Sequence, residues 1–260
     1  MTVGGWFDAQ NLYGTLHCYQ AIEKSTPGAR NTLVMGPWSH GGWGGRSDGS
    51  SLGNVRFNAK TSEFYQRNIE IPFFNFYLKL KGTVSEIAEA NVFFTGENEW
   101  RRLEQWPPKN METKDLYLGA DGRLSLGTKP AGNHLYAEYI SDPAHPVPYT
   151  EDVHLGRTAE YMTDDQRFAS RRTDVLTFST GVLTDDISLG GPLVADLMTS
   201  ISTTDADFVV KLIDVFPDTF KYDSPAAKPY PMGGYQMLVR GEIMRGRFRN
   251  SFEKPEAFKP

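Results

Sequence analysis

One cysteine in 260 residues, Cys18, has no second thiol in the chain, which excludes an internal disulfide framework and a cysteine-rich zinc site. Apolar runs are short. None approaches the roughly 18 to 20 residues that span a bilayer, so no membrane partner is expected. A surplus of positive charge is missing too: 27 basic side chains face 32 acidic ones, a net charge of −5. Such a surface repels phosphate backbones and argues against a nucleic-acid partner. Met1 leads directly into Thr2-Val3-Gly4-Gly5-Trp6 with no basic or apolar leader, so no signal peptide is read. The chain stops at Ala257-Phe258-Lys259-Pro260 without a closing element, and both ends read as truncated. A truncated N-terminus would have carried any export signal, so the compartment stays unknown. There are no internal repeats and no low-complexity tract.

Aromatic and turn-forming residues are abundant. Aromatics make up 13% of the chain, beside 25 glycines and 16 prolines, which suits a fold rich in strands and loops. Charged residues at 23% and hydrophobic residues at 39% are a globular composition. The length buries a full core without staples and fits one large or two medium domains.

Residues 1–80 alternate between strand and helix patterns. Thr2 to Phe7 is a short apolar run closed by glycines, the end of a buried strand. Asn11 stands where it would cap a helix reaching about Lys24, with Leu12, Leu16, Tyr19 and Ile22 as its apolar stripe. Thr32-Leu33-Val34-Met35 reads as a second buried strand, broken by Gly36-Pro37, and a glycine-rich loop follows from Gly41 to about Gly53. Thr61 to about Leu80 reads as a helix kinked or split at Pro72, with Phe64, Ile71, Phe74, Tyr77 and Leu78 as core positions.

From about Asn91 the period falls to two. Strand patterns lie at 92–94, 115–118, 123–126, 134–139, 175–178, 193–197, 208–216 and 235–239, with Asp121-Gly122 as a hairpin turn. Many short strands between Gly/Pro turns predict a β-sandwich or jelly roll. The change of period near 81–91 divides the chain into an α/β part, 1–85, and an all-β part, 86–260.

Two residues stand where chemistry is done. Asp8 follows a glycine-bounded strand end, and His40 follows the next strand in Gly36-Pro37-Trp38-Ser39-His40-Gly41-Gly42-Trp43. Loops at the carboxyl ends of strands form the site in open α/β sheets, so adjacent strands would present a carboxylate beside an imidazole. A carboxylate that orients a histidine and stabilises its imidazolium is the acid–base half of a hydrolase triad. The order also fits the α/β-hydrolase sequence of Ser, Asp, His. The plainer alternative stays open at this point: an aspartate there also serves as a cap or turn former, and a loop histidine as an ordinary surface residue. The nucleophile is the difficulty. Gly45-Arg46-Ser47-Asp48-Gly49 and Gly49-Ser50-Ser51-Leu52-Gly53 match Gly-x-Ser-x-Gly, yet neither has a strand before it or a helix directly after it. Both follow His40, so neither Ser47 nor Ser51 is read as the nucleophile, and none is expected in this chain.

Gly4-Gly5-Trp6-Phe7-Asp8 together with Leu33 to Trp43 resembles the segment carrying Asp and His in the CocE/NonD-type α/β-hydrolases. That family holds α-amino-acid ester hydrolases, cocaine esterase, glutaryl-7-aminocephalosporanic-acid acylase-like proteins and X-Pro dipeptidyl-peptidases. The likeness continues through Phe94-Thr95-Gly96-Glu97-Asn98-Glu99-Trp100 and Trp106-Pro107-Pro108, then Arg172 to Leu176, Asp205 to Val215, Gly234 to Glu242 and Arg245 to Arg249. The resemblance implies an α/β-hydrolase domain, a helical cap inserted in it, and a C-terminal jelly roll. This chain would hold the C-terminal part of the first and an incomplete jelly roll. It also implies Asp8 and His40 as two of three triad members, no cofactor, and a small acyl ester, amide or peptide as substrate. Such a piece is expected to be inactive alone, and to self-associate or need its missing N-terminal catalytic part. The alternative is a non-catalytic β-sandwich binding or interaction module.

Other residues carry plainer expectations. His17 and Cys18 read as helix packing or a solvent-facing pair, and His134, His145 and His154 lack zinc spacing. Asp164 with Asp165, Asp185 with Asp186, and Asp205 with Asp207 read as turn or strand caps before calcium ligands. Arg240, Arg245, Arg247 and Arg249 read as partners for carboxylates or as part of a domain interface. Trp38, Trp43, Trp100 and Trp106 read as packing rather than sugar stacking.

Overall fold

The computed structural model describes residues 1–83, 86–129, 136–156, 158–223 and 230–259. Strand β1 (Thr2–Gly5) leads through helix α1 (Leu12–Ser25) to β2 (Leu33–Gly36), which pairs parallel with β1 from Thr2↔Leu33 to Gly5↔Gly36. Parallel neighbours need such a crossover, and α1 supplies it. A short hairpin follows, β3 (Ser51–Leu52) with β4 (Val55–Arg56), and then helix α2 (Thr61–Tyr65), a π turn at Gln66–Glu70 and helix α3 (Ile71–Lys79). Strand β5 (Ala90–Phe94) returns parallel to β2, and β6 (Glu99–Leu103) turns back antiparallel, giving the sheet order β1-β2-β5-β6. The sheet that starts at Thr2 therefore runs on through residue 103.

Alternation along β2 explains why its whole length is apolar. Leu33 and Met35 face α1 and join Leu12, Tyr19, Val92, Phe94 and Trp106 in one core. Val34 points the other way, into a second core with Trp38, Tyr65 and Ile69. All three β2 side chains are fully buried. Burial of each contributes roughly 1.5–3 kcal/mol, and a strand covered on both faces carries no polar alternation.

The second long helix departs from its expected core. Phe64, Ile71, Phe74, Tyr77 and Leu78 are all exposed, while Thr61, Ser62, Tyr65 and Ile69 are buried. For Ile71, Phe74, Tyr77 and Leu78, which follow it, the π turn is the reason. Its wider turn inserts a residue and rotates the following helix, so the stripe drawn at uniform α spacing misses the sheet. Pro72 neither ends nor splits the helix: it falls in the opening turn of α3, where the π turn has already broken the regular ladder.

Further along lie β7 (Leu116–Leu118) and β8 (Leu124–Leu126), an antiparallel hairpin around the predicted Asp121-Gly122 turn, with Gly122 at φ 76°. The chain divides into two compact units, residues 1–164 with 176–191, and residues 165–175 with 192–260. The second unit holds the short helix α4 (Arg167–Ser170) and a long antiparallel ladder of β9 (Asp207–Val215) and β10 (Gln236–Arg245), bulged between Leu238 and Arg240. Asp165 pins the start of β10: Oδ1 accepts the N–H groups of Arg167 at 3.1 Å and Gln236 at 3.2 Å, while Oδ2 accepts Arg167 Nε at 2.6 Å.

The expected β-sandwich is only partly formed among the described residues. Segments 175–178 and 193–197 join no ladder, and the one isolated bridge nearby, Arg123↔Ser179, lies just past the first. Residues 136–139 are also unpaired, and His134-Leu135 lie outside the described residues. Val194 and Met198 are exposed, so no second sheet covers that stretch. Alternation marks a segment able to pair, but the ladder needs a partner strand, and two-stranded ladders are marginal without one. Among the described residues no helix is long and apolar enough to cross a membrane.

Candidate active site

The ends of β1 and β2 are drawn together by backbone bonds that continue past the ladder. Trp6 N–H donates to Gly36 O at 2.8 Å and Phe7 N–H to Trp38 O at 3.1 Å. Gly5 makes this approach possible, because a Cβ there would lie 2.0 Å from Trp38 O. One residue past Phe7 and two past Trp38, Asp8 and His40 meet, with Asp8 Oδ2 2.9 Å from His40 Nδ1. The other carboxylate oxygen accepts the N–H groups of Gln10 at 2.8 Å and Asn11 at 3.1 Å. One oxygen thus faces the imidazole and the other accepts the turn amides. Asn11, expected to cap α1, makes no side-chain cap hydrogen bond; the carboxylate three residues earlier takes the amides that lead into the helix.

The pair is asymmetric in exposure: the Asp8 side chain is 1% exposed and that of His40 is 50% exposed. A buried carboxylate is tolerated when its oxygens are hydrogen-bonded, and these carry three contacts. A carboxylate only accepts, so it fixes the imidazole proton on Nδ1 and leaves the Nε2 lone pair available. His40 Nε2 bonds to no described residue. The Trp43 ring stands edge-on to the imidazole at 6.3 Å.

The structure brings neither matching serine to His40. Ser47 Oγ accepts Gly49 N–H at 3.3 Å in a local turn, and Ser51 opens the two-residue ladder of β3 with β4. His17 stacks on Tyr13 at 5.0 Å, and Cys18 is exposed. His145 pairs with Asp142 at 2.8 Å, and His134 lies outside the described residues. His154 acts on Asp164, whose carboxyl is pushed up to about 6 by burial first and then by Glu160, with Asp152 and Glu151 adding and His154 opposing. Among the described residues no three His, Cys, Asp or Glu side chains gather as a metal site.

The basic cluster pairs with carboxylates: Arg240 with Glu242, Arg245 with Asp207, Arg247 with Asp205 and Arg249 with Glu256. Asp185 accepts the Thr184 hydroxyl. The tryptophans pack against one another and their neighbours, Trp38 on Trp43, Tyr65 and Trp100, and Trp106 on Trp6. Sequence reading missed Thr61 and Ser62, which are buried and hydrogen-bond to the loop bearing His40. As the first residues of a helix they resemble ordinary caps, and only their failure to cap distinguishes them.

Comparison with known proteins agrees over the whole chain. Residues 81–260 match the X-Pro dipeptidyl-peptidase C-terminal non-catalytic domain. Cocaine esterase of Rhodococcus sp. (strain MB1 Bresler) is 32% identical over 264 aligned residues, which cover 98% of this chain and 42% of that protein. Among solved structures, an aminopeptidase from the marine sediment archaeon Thaumarchaeota archaeon superposes with a TM-score of 0.88 at 37% identity, covering 99% of this chain and 42% of the other. An α-amino acid ester hydrolase superposes at 0.83 with 34% identity, covering 98% and 42%. The chain thus spans less than half the length of these relatives. Across that span the matched domain, the esterase likeness and the two superpositions agree, and the chain belongs to the CocE/NonD-type hydrolase family.

Proposed function

We propose that this chain carries the acid–base half of a serine acyl hydrolase cleaving ester or amide bonds. His40 is the base and acid, and Asp8 is the carboxylate that holds it. One observation carries the reading: a buried Asp8 contacts Nδ1 at 2.9 Å while Nε2 of a half-exposed ring bonds to no described residue. The hydrolase relatives support the reaction class. In this reading β1 and β2 belong to an α/β-hydrolase catalytic part, residues 1–85, whose sheet is completed by β5 and β6, and the rest of residues 86–260 forms a jelly-roll β-sandwich. The serine and the oxyanion donors come from polypeptide outside these 260 residues.

The chemistry follows from the pair. As the serine oxygen bonds the acyl carbon of a small ester, amide or peptide, His40 Nε2 takes the hydroxyl proton, and Asp8 stabilises the imidazolium. The bond to the leaving group then breaks, and His40 delivers the proton to the leaving oxygen or nitrogen. Water attacks the acyl-enzyme, His40 takes its proton, and that proton returns to the serine as the acyl–oxygen bond breaks. Every proton is accounted for without a metal or organic cofactor.

A fluorophosphonate serine probe with intact-mass detection tests the assignment. The 260-residue chain alone should take no adduct. A longer polypeptide that adds a serine-bearing hydrolase segment in frame should take one adduct, lost in His40→Ala. Acyl hydrolysis retained by that His40→Ala variant would overturn the role of His40. A His40-dependent adduct on the short chain would place the nucleophile at Ser47 or Ser51 instead. A non-catalytic module remains a second reading for residues 81–260, favoured by the non-catalytic description of the matching domain.

A further inference from the structure

We infer that Thr61 and Ser62 are positioning residues for His40, two neighbouring hydroxyls that tie down the chain on either side of the imidazole. The inference rests on the reading of His40 as the catalytic base and deepens it. Trp38, two residues before His40, donates its indole N–H to Thr61 Oγ1 at 2.9 Å. Gly42, two residues after His40, accepts the Ser62 hydroxyl at 3.0 Å through its carbonyl. Thr61 Oγ1 in turn donates to Gly49 O at 2.7 Å, and Ser62 N–H donates to Asp48 O at 3.0 Å. Gln66, in the π turn, adds a tie from Nε2 to Trp43 O at 3.3 Å. One helix face thus grips the loop from Trp38 to Gly49.

Three features separate this from incidental packing. Serine and threonine at a helix start ordinarily cap their own helix, yet α2 has Lys60 at its N-cap and no side-chain cap hydrogen bond. Both hydroxyls are spent on the loop. Thr61 and Ser62 are fully buried, so the Trp38 N–H and the Gly49 carbonyl depend on Thr61 for satisfaction. The loop is also shaped to receive them. Gly49 sits at φ 76°, and a Cβ there would lie 2.4 Å from Ser62 Oγ and 2.5 Å from Thr61 Oγ1. A Cβ at Gly36 would lie 2.5 Å from the Trp38 ring. Glycine at both positions lets the loop close onto the hydroxyls and the indole.

The anchor fixes the backbone, and Asp8 then finds Nδ1. The effect is readable without turnover, in ¹⁵N NMR of the 260-residue chain, with the His40 signals assigned through His40→Gln. The wild-type ring should hold its proton on Nδ1 and exchange it slowly with water. Ser62→Ala should speed that exchange roughly fivefold and Thr61→Val at least as much, both populating the Nε2–H tautomer, since the first removes one hydrogen bond to the loop and the second removes two. Thr61→Ser, which keeps the hydroxyl, should restore the wild-type signature. Unchanged exchange in a folded Thr61→Val/Ser62→Ala protein would overturn the inference. So would a Thr61→Ser protein that behaves like Thr61→Val, because the methyl group would then be the anchor. If the double variant does not fold, Trp38→Phe removes only the indole donor from the other side, and unchanged exchange there overturns the inference equally. A held Nδ1–H in a protein whose His40→Ala variant still hydrolyses acyl esters would sink the catalytic reading while leaving the anchor intact.

Discussion

Asp142 and His145 make nearly the same contact as Asp8 and His40. Oδ2 lies 2.8 Å from Nδ1 in the first pair and 2.9 Å in the second. In each, the other carboxylate oxygen accepts the N–H two residues on, from Ala144 at 2.9 Å and from Gln10 at 2.8 Å. Hydrogen-bond geometry therefore does not separate them. Surroundings do. Asp142 and His145 stand three residues apart with side chains 49% and 82% exposed, whereas Asp8 and His40 stand 32 residues apart and the carboxylate is buried. A turn brings the first pair together in water, where solvent screening leaves such a contact little weight. His145, followed by the Ala144 amide, still holds the Asp142 carboxyl below the usual carboxylate range. The second pair exists only because two parallel strands end side by side. That costs the fold a buried carboxylate, and in exchange the imidazole Nδ1 faces a partner that solvent does not reach.

The largest difference should appear in catalysis. In a polypeptide that includes the serine, Asp8→Asn should lower kcat about 10³- to 10⁴-fold, because an amide facing Nδ1 favours the wrong tautomer. Asp142→Asn should stay within about twofold, as an exposed pair contributes little. Steady-state hydrolysis of an activated ester measures both. Equal losses in the two variants would break the comparison, since exposure would then have no bearing on function.

A smaller difference should appear in stability of the 260-residue chain. Asp8→Ala leaves the Gln10 and Asn11 amides without their acceptor and opens space beside His40, a loss of about 1–2 kcal/mol. Asp142→Ala should leave the urea midpoint essentially unchanged, as surface substitutions do. Urea unfolding of both variants sharpens the contrast.

The same contrast between local and assembled features governs what could be read from sequence. The β1, α1 and β2 segments were legible because each carries its pattern within a few residues, and Asp8 and His40 were legible because strand ends in parallel sheets have a known use. The face of α3 was not: uniform helical spacing points Ile71, Phe74 and Leu78 to the core, and nothing in the residues announces the π turn at Gln66–Glu70 that precedes them. The parallel partnership of β5 with β2 was hidden for a related reason, since an apolar run marks burial but not a neighbour. Segments 175–178 and 193–197 alternate as strands should, yet pairing is decided by distant chain. Thr61 and Ser62 were disguised as helix openers.

A third carboxylate of the same unit isolates what burial does when it outweighs its cation. Asp164 is pushed up to about 6, chiefly by burial and then by Glu160, against the opposing pull of His154. Its unfolded value is about 3.9, so the folded chain holds this proton more tightly than the unfolded chain does. Stability from that proton is present below about pH 4 and is lost as the pH rises through about 6. Asp164→Asn removes the ionised form altogether. It should therefore raise stability at pH 7.5 by a few tenths of a kcal/mol, reduced by solvent because the group is only partly buried, and should leave stability at pH 4 unchanged. Urea midpoints of the two proteins at both pH values measure the difference. An equal gain at both would mean that the amide makes a better hydrogen bond than the carboxyl. A gain confined to pH 7.5 would mean that burial, with the carboxylates around it, destabilises the ionised form of Asp164.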